Sequence, residues 1–560
     1  MNSPKGFRAP VPAEAAAARG RPAGFERRRT VSRQDTGPHP TDRIGSITLS
    51  VMRAVVSSSD RLSAYLTDHE IEAVDVATLA ETGGELAELV RHVQAASRLL
   101  IKDWLHNPHH RAWRVDSSSG RNVSIGADDV QSDALAQSRF AFAEDQPLYG
   151  LHRRITREGV GIPLTMWARR PDASASSDPS RVTVARAVTA VVSTEPDTDR
   201  RVRKVRVRLA DPAACATARL RGTAMPLAAD FTAPVSLTLA LERKPSAVSY
   251  GIHAIERRGT VEGFSALTPG ATGRAPLILI DGAGLTPTLT AQVANEVAGA
   301  RGLRDRYQVW LYRYAHTAPL FFAASQFRRD FARFLELVEA THGHGASTHA
   351  VIVADGAGAL LAKSVLADSG TRLWDALFSV PPERTDFDPS DRELLAGLLT
   401  WQRSDRVERV ILIREPANAG AIAAGVGDRA VQLLKRQSPE FRGAVERIYS
   451  RGKRHLKVAG RVAAARSGED GDSAEAAVAE ALGHAAFAAD IALLSLLNVG
   501  TGTPKDVAAF APATGLTPHE APGTVPPSLT GAILPRVLAM LAPAGSDGAS
   551  LQGDFWPIET

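Results

Sequence analysis

The stretch that decides the fold reads His349-Ala-Val-Ile-Val-Ala-Asp-Gly-Ala-Gly-Ala-Leu-Leu-Ala-Lys363. It begins with a run that is apolar on both faces, which is typical of a strand buried inside a parallel sheet. The run ends in Asp355-Gly-Ala-Gly358, and a helical pattern follows directly through Lys363. A buried strand that leads straight into a helix is the repeating unit of α/β proteins. This stretch therefore predicts an α/β fold.

Three further strand patterns surround it. Ala275-Pro-Leu-Ile-Leu-Ile280 is again apolar on both faces, and Tyr307–Tyr312 and Val407–Ile413 complete the set. Helical patterns separate the strands, the clearest of which places Phe327, Phe331 and Phe334 on one side. Alternating strands and helices predict a mostly parallel sheet with right-handed crossovers and helices on its faces. We assign this core to residues 269–500.

Two strand ends carry nearly the same sequence, Leu279-Ile-Asp-Gly-Ala-Gly284 and Val353-Ala-Asp-Gly-Ala-Gly358. If the two strands are neighbours, Asp281 and Asp355 meet at the carboxyl edge of the sheet, where α/β proteins bind ligands. Two close carboxylates would share a proton or hold a cation, which suits a hard metal ion, an amine or a sugar hydroxyl. The alternative is that each Asp only caps its own turn through local backbone bonds. The candidate binding residues are Asp281, Gly282, Asp355 and Gly356.

No cofactor is expected from these motifs. Gly356 and Gly358 begin a pattern like the dinucleotide fingerprint, but Leu361 stands where the third glycine or alanine is needed for helix–strand packing. Cys215 is the only cysteine, which excludes an intrachain disulfide, a cysteine-based zinc site and an iron–sulfur cluster.

The rest of the chain divides by composition. Residues 1–42 are rich in Pro, Ala, Gly and Arg without a hydrophobic period, and predict a disordered tail. Residues 43–268 form an accessory region of helices followed by short strands, in which Arg201–Leu209 alternates basic and apolar side chains. Residues 501–560 are a Pro/Gly-rich C-terminal segment with one helical pattern, Leu529–Leu541, which Pro535 would kink or interrupt.

Composition limits the classes of function. Of the 560 residues, 44% are hydrophobic and 23% charged, an ordinary globular balance that excludes wholesale disorder. No apolar run is long enough for a transmembrane helix, and no secretory signal is visible, so we expect a cytoplasmic protein. The net charge is +5, but the basic residues are not clustered with aromatic ones, so we expect no nucleic-acid partner.

Several stretches together resemble a family. Ala354-Asp-Gly-Ala-Gly-Ala-Leu-Leu-Ala-Lys363 and Asp368-Ser-Gly-Thr-Arg-Leu-Trp-Asp-Ala-Leu-Phe378 are similar to bacterial serine hydrolases of the α/β-hydrolase fold, in a lipase/esterase-like group. In that group the first stretch reads Gly-His-Ser-Met-Gly-Gly-Leu-Leu-Ala-Lys. The resemblance continues upstream through Gly159–Leu164 and Pro226–Pro234 and covers roughly residues 145–420. It implies an α/β-hydrolase-like sheet.

The catalytic pattern of that family is degenerate here. Its nucleophile elbow, a tight strand–turn–helix, needs a hydroxyl at the apex and small residues two positions to either side. Ala354 and Gly358 supply the small residues, but the apex is Gly356, next to Asp355 and Ala357. Glycine offers no nucleophile, although it tolerates the strained backbone of the turn.

The other family positions also differ. The His-Gly of the family's oxyanion loop corresponds to Asp281-Gly282, and its Thr-Pro-His-Arg-Gly-Ser stretch corresponds to Glu415–Gly420. A catalytic histidine is expected late in the chain, but nothing in the sequence places His455, His484 or His519 in a triad.

Three hypotheses follow. The first is a pseudo-hydrolase that binds or scaffolds an unknown protein or small-molecule partner. The second is an active ester-type hydrolase with a displaced nucleophile or one based on Asp355, although Val353 would then crowd the turn. The third is a ligand- or cation-binding module built on Asp281 and Asp355.

Overall fold

A computed structural model describes residues 41–81, 83–106, 123–127, 138–168, 184–196, 203–220, 222–242, 263–270, 273–280, 289–314, 318–342, 349–413, 439–452, 454–457, 507–510 and 527–542. The chain divides into two units, Met1–Ser50 and Val51–Thr560. Of the first unit only residues 41–50 are described, and they are helical. The tail predicted over residues 1–42 therefore lies almost wholly outside the described residues.

Helices come first, as the sequence predicts. The three are α1 (Thr41–Asp68), α2 (Val76–Ala80) and α3 (Glu85–His106). Gly83 separates the last two with a positive φ of 97°, a conformation that glycine adopts without steric cost. Leu86, Leu89 and Val90 of α3 are buried, whereas Leu99 is exposed.

An antiparallel sheet with one parallel edge strand follows the helices. Its order is β1-β6-β5-β4-β2, and only the β1–β6 pair is parallel. Two short pairs, β3–β9 and β7–β8, lie outside it. The bounds are β1 Val123–Ala127, β2 Ser138–Phe142, β3 Thr156–Arg157, β4 Ile162–Ala168, β5 Arg186–Pro196, β6 Arg203–Ala210, β7 Thr217–Leu220, β8 Thr223–Pro226 and β9 Ala229–Asp230.

Strand β6 confirms the predicted alternation. Val205, Val207 and Leu209 are buried in one apolar cluster with residues of α1 and α3, whereas Arg206 is exposed. One face of this sheet is therefore packed under helices while Arg206 and Arg208 of β6 lie on the other face.

Helix α4 (Thr232–Glu242) leads to the second sheet, a six-stranded one of order β10-β12-β11-β13-β14-β15. All of its pairs are parallel except the edge pair β10–β12. β11 and β13 are buried at every position, as strands covered by helices on both faces must be. The strands are β10 Gly263–Ala266, β11 Ala275–Ile280, β12 Tyr307–Arg313, β13 Ala350–Asp355, β14 Val407–Ile413 and β15 Val507–Phe510.

Eight helices among the described residues accompany this sheet. They are α5 Leu289–Gly299, α6 Arg301–Arg306, α7 Leu320–His342, α8 Ala357–Ser364, α9 Arg372–Leu377, α10 Pro389–Leu399, α11 Pro439–Gly452 and α12 Pro527–Leu541, with a short 3-10 turn at Pro382–Arg384. α4, α5 and α12 share one apolar cluster, and α7 to α10 share another on the opposite face. The predicted α/β class with a mostly parallel sheet is confirmed.

The sheet extends past the predicted core of residues 269–500 at both ends. β10 begins at Gly263 and β15 ends at Phe510. Both are four-residue edge strands, too short to give a periodic signal in the sequence. The accessory and C-terminal segments therefore each contribute a strand to the core.

The C-terminal helix α12 is also part of the core. Val537, Leu538 and Leu541 are buried against the cluster that contains α5. Pro535 lies inside this helix on an exposed position and does not interrupt it. Side chains of the sheet donate hydrogen bonds to the last backbone carbonyls of α12. The Tyr307 hydroxyl donates to the Leu541 carbonyl at 3.0 Å, and the Arg409 guanidinium donates to the Met540 carbonyl.

Helix α5 joins the accessory region to the core through buried polar side chains. Glu296 accepts from the Arg153 guanidinium at 2.7 Å, and Asn295 accepts from the Thr232 hydroxyl at 2.7 Å. The Gln292 amide donates to the Gly150 carbonyl at 3.0 Å. These three side chains are three and four residues apart, so they lie on one face of α5 and form hydrogen bonds with the chain that runs across it. Because their polar groups are hydrogen-bonded, they are tolerated inside the protein.

No helix among the described residues is long and apolar enough to cross a membrane.

Replacing Tyr307 by Phe should lower the free energy of unfolding by about 1 kcal/mol, because the Leu541 carbonyl loses a buried donor. Chemical denaturation of both proteins measures the difference. Tyr149→Phe is the matched control: this tyrosine is 45% exposed, and its substitution should change stability by less than about 0.5 kcal/mol. An equal effect of the two substitutions would show that the hydrogen bond to α12 adds nothing.

The same tyrosine predicts a pH dependence. Burial raises the pKa of the Tyr307 phenol above its ordinary value of 10.0, with Glu408 also raising it and Arg306 and Arg409 opposing. Since ionisation is harder in the folded state, the contribution of Tyr307 to stability is complete below pH 10 and is lost as the pH rises above it. The stability difference between wild type and Tyr307→Phe should therefore shrink as the pH rises above 10. A difference that stays constant or grows would contradict this.

Candidate functional site

The strand order creates a crevice between β11 and β13. In the sheet, β12 lies on one side of β11 and β13 lies on the other. The chain runs from β11 outward to β12 and then returns across β11 to β13. The helices follow this reversal: α5 lies on one face and α7 on the other, as right-handed crossovers require. In open α/β sheets ligands bind at such a switch point, outside the carboxyl ends of the strands.

The two Asp-Gly motifs follow the strands that border this crevice. β11 and β13 are adjacent and parallel, and Ile280 is in register with Ala354. The prediction that the two strands are neighbours is confirmed. Asp281 and Gly282 lie outside the described residues, so the approach of Asp281 to Asp355 stays a prediction.

Gly356 is the apex of a tight turn between β13 and α8. Its φ of 56° and ψ of −128° lie in a region that side chains strongly disfavour. Its N–H donates to the Ile413 carbonyl of β14 at 2.9 Å, and its own carbonyl accepts from Ala359 at 3.0 Å as the helix begins. The strand, the turn and the helix therefore have the backbone geometry of an elbow whose apex carries no side chain.

Gly358 lets α8 approach the neighbouring strand. A Cβ atom at this position would lie 2.8 Å from both the carbonyl oxygen and the Cγ2 atom of Ile280. Ala354, two residues before the apex, is completely buried. Gly358 thus needs to lack a Cβ atom for steric reasons, and Ala354 is a small residue in a buried position.

Asp355 is the last residue of β13 and is only 1% exposed. It is in register with Ile413 of β14 and immediately precedes the apex. The positive φ belongs to Gly356 and not to Asp355, so the tight turn is centred one residue after the carboxylate.

Three buried serines of the core, Ser325, Ser364 and Ser369, serve structural roles. The buried Ser364 hydroxyl donates to the Leu361 carbonyl at 2.6 Å, and Ser325 donates to the Gly397 carbonyl at 3.4 Å. Ser369 accepts from the Trp401 N–H at 2.8 Å. These hydroxyls hold helix and loop backbone, which is a common use of buried serine.

Of the late histidines, only His455 is described. Its ring Nε2 lies 3.1 Å from Arg454 Nε, and its carbonyl accepts from the Ser379 N–H at 2.8 Å. His484, His519 and the Glu415–Gly420 stretch lie outside the described residues. Within the described ranges there is no group of three His, Cys, Asp or Glu residues that could hold a metal ion.

The chemistry that the described site offers comes from the backbone. The first N–H groups of α8 follow the apex directly and have no partner one turn back within the helix. Such donors suit an oxygen atom with negative charge or a polarised carbonyl. The Ile413 carbonyl, which fixes the apex, could not be found from sequence because it belongs to the end of a strand almost sixty residues away.

Replacing Gly356 by Ala should lower the free energy of unfolding by about 1–2 kcal/mol, because a Cβ atom at positive φ meets the adjacent backbone. Thermal and chemical denaturation measure the change. The matched control is Gly397→Ala in α10, where an added Cβ atom has open space and should stabilise the helix by about 0.5–1 kcal/mol. Stabilisation by both substitutions would mean that the turn at Gly356 is not strained.

A comparison with protein-family models and with curated proteins finds no match to this chain.

Proposed function

We propose that this protein is a catalytically degenerate relative of the lipase/esterase-like α/β-hydrolases, which binds a partner at its elbow instead of hydrolysing an ester. The observation that carries the proposal is Gly356, a residue without a side chain at the positive-φ apex between β13 and α8. A nucleophile elbow derives its use from a hydroxyl held at that apex. The backbone shape of the elbow is present and the reactive atom is absent.

The upstream motifs give separate support. Gly159–Leu164 and Pro226–Pro234, which resemble the same family, lie against each other: the Val160 N–H donates to the Pro226 carbonyl at 2.8 Å, and Ala228 donates back to Val160 at 3.0 Å. A Cβ atom on Gly159 would lie 2.3 Å from the Pro226 carbonyl oxygen, so this contact requires glycine. The two stretches are distant in sequence, yet they resemble the same family and contact each other in the structure. This contact favours a fold shared with that family over a chance resemblance of two short segments.

The location of the elbow favours binding. It lies at the switch point of the sheet, beside the strand that leads to Asp281 and Gly282. The N–H groups of Ala357 and Gly358, which have no partner within the helix, and the buried Asp355 offer donors and a carboxylate at one edge. This supports a small polar ligand or a polar segment of a protein as the partner.

The two alternative functions, an Asp355-based hydrolase and a cation-binding module, require different geometries. A nucleophile at Asp355 would need the carboxylate at the apex, but the positive φ lies at Gly356, and Asp355 is a buried strand residue. A cation site on Asp281 and Asp355 rests on the adjacency of β11 and β13. The pseudo-hydrolase therefore explains more of the described geometry than either.

Hydrolysis of a short-chain p-nitrophenyl ester tests the proposal. We expect the wild-type chain to give no turnover above buffer, because no hydroxyl is positioned at the apex. Gly356→Ser restores the hydroxyl, and Gly356→Ala is its matched control because it carries the same backbone strain without the nucleophile. Turnover in Gly356→Ser but not in Gly356→Ala would show that only the nucleophile is missing.

Wild-type turnover would overturn the proposal. If that turnover disappeared in Asp355→Asn, the chain would be a hydrolase with a carboxylate nucleophile. A melting temperature that rises with added Mg²⁺ or Ca²⁺ in wild type, but not in Asp355→Asn, would instead support the cation-binding module.

A further inference from the structure

Four arginines gather at the amino-terminal edge of the six-stranded sheet. We call Arg157, Arg274, Arg301 and Arg304 the arginine cluster. Arg274 immediately precedes β11, Arg301 and Arg304 belong to α6 just before β12, and Arg157 ends β3. The elbow at Gly356 lies at the opposite, carboxyl edge of the same parallel strands, so the cluster is separate from the candidate site.

Phe231 lies between two of these side chains. The guanidinium carbon of Arg304 is 4.4 Å from the centre of the Phe231 ring, and that of Arg157 is 5.7 Å from the same centre. Cations are attracted to the face of an aromatic ring, which keeps both arginines in place despite their like charge.

Arg304 is the buried member, with only 7% of its surface exposed. Its Nη1 donates to the Ala298 and Gly299 carbonyls at 2.8 and 3.0 Å, which completes the end of α5. Its Nε is buried and has no acceptor among the described residues. Burial lowers the pKa of Arg304 to about 10; the charge of Asp305 opposes this, and those of Arg157 and Arg274 add to it.

Positive charge exceeds negative charge around this residue. Arg157 donates to the carbonyls of Leu227 and Pro212 but to no carboxylate of a described residue. Arg301 pairs with Asp305 at 3.5 Å on the same helix, with both side chains largely exposed. Asp211, the other nearby carboxylate, accepts from the Ala213 N–H in its own turn.

Arg274 is the member that is most available. It is half-buried and forms no hydrogen bond or ion pair within the part of the chain that the structure describes. A half-buried guanidinium with five donors and no acceptor is costly unless an anion or water supplies the missing bonds.

We propose that the arginine cluster binds a phosphate group, either free or as part of a phosphate ester. The guanidinium fork matches two oxygens of a tetrahedral oxyanion, and arginine is favoured over lysine at such sites for this reason. Arg274 is half-buried and Arg301 is largely exposed, so both are open to an anion from solvent, and Arg304 adds positive charge from its buried position. Because Arg157 and Phe231 belong to the accessory region and the other arginines to the core, bound phosphate would hold the two together.

Thermal unfolding of the full chain, followed as inorganic phosphate replaces sodium chloride at constant ionic strength, tests this proposal. We expect a saturable rise in melting temperature of at least about 2 °C at millimolar phosphate, since a ligand of the folded state stabilises it. Isothermal titration with phosphate should give a dissociation constant that Arg274→Ala raises about tenfold, the effect of one charge-assisted hydrogen bond. Arg274 forms no hydrogen bond or ion pair with the described residues, so this variant should fold.

Arg333→Ala is the matched control, because it removes the same charge from an exposed position of α7, outside the cluster. It should keep the full response to phosphate. Phenyl phosphate distinguishes the sources: binding as tight as that of inorganic phosphate indicates a site open to esters, and weaker binding indicates a site for the free ion. An equal response to chloride, or an equal response in Arg274→Ala and Arg333→Ala, would overturn the proposal.

Discussion

The burial of β11 and β13 on both faces is the constraint on which the rest of the structure depends. Strands that are apolar at every position cannot lie at a solvent-facing surface, so helices must cover both sides of the sheet. Because the crossovers are right-handed, α5 covers one face as the chain moves outward from β11 to β12. Helix α7 covers the other face as the chain returns past β11 to β13. The crevice between β11 and β13 is a consequence of this routing. The candidate site thus follows from the hydrophobicity of two short segments.

The elbow adds a second, local constraint. For β13 to turn directly into α8, the apex must adopt a positive φ and the helix must pass within contact distance of Ile280. Gly356 and Gly358 meet these two requirements separately, one through backbone freedom and one through the absence of a Cβ atom. A catalytic elbow accepts the strain in order to present a hydroxyl, whereas glycine at the apex removes both the strain and the hydroxyl.

How much the sequence predicts depends on the kind of interaction. The strands β11, β13 and β14 could be located to within a residue because their apolar runs are continuous and bounded by turns. The elbow could be identified because its requirements are local in sequence. The edge strands β10 and β15 were missed as parts of the core, since a four-residue strand is defined by its neighbour and not by its own pattern. Pro535 was expected to disturb a helix that in fact continues through it, because packing of Val537 and Leu541 against α5 outweighs one lost hydrogen bond.

The arginine cluster shows why a site of charged residues is harder to predict from sequence than a hydrophobic core. Arg201–Arg208 is the densest basic stretch outside the predicted tail, yet its alternation only marks the open face of β6. The four clustered arginines come from segments separated by most of the accessory region and were not distinguishable in sequence from solvated charge. They converge because β3 and α6 end at the edge where β11 begins, and because Phe231 attracts two of them. Helix α5 connects this edge to the other one: its carboxyl end is completed by Arg304, and its amino end follows the segment that carries Asp281 and Gly282. A charge bound at the cluster would therefore lie at the carboxyl end of the helix whose amino end follows the candidate site, and Asn295 and Glu296 of that helix also bind the accessory region.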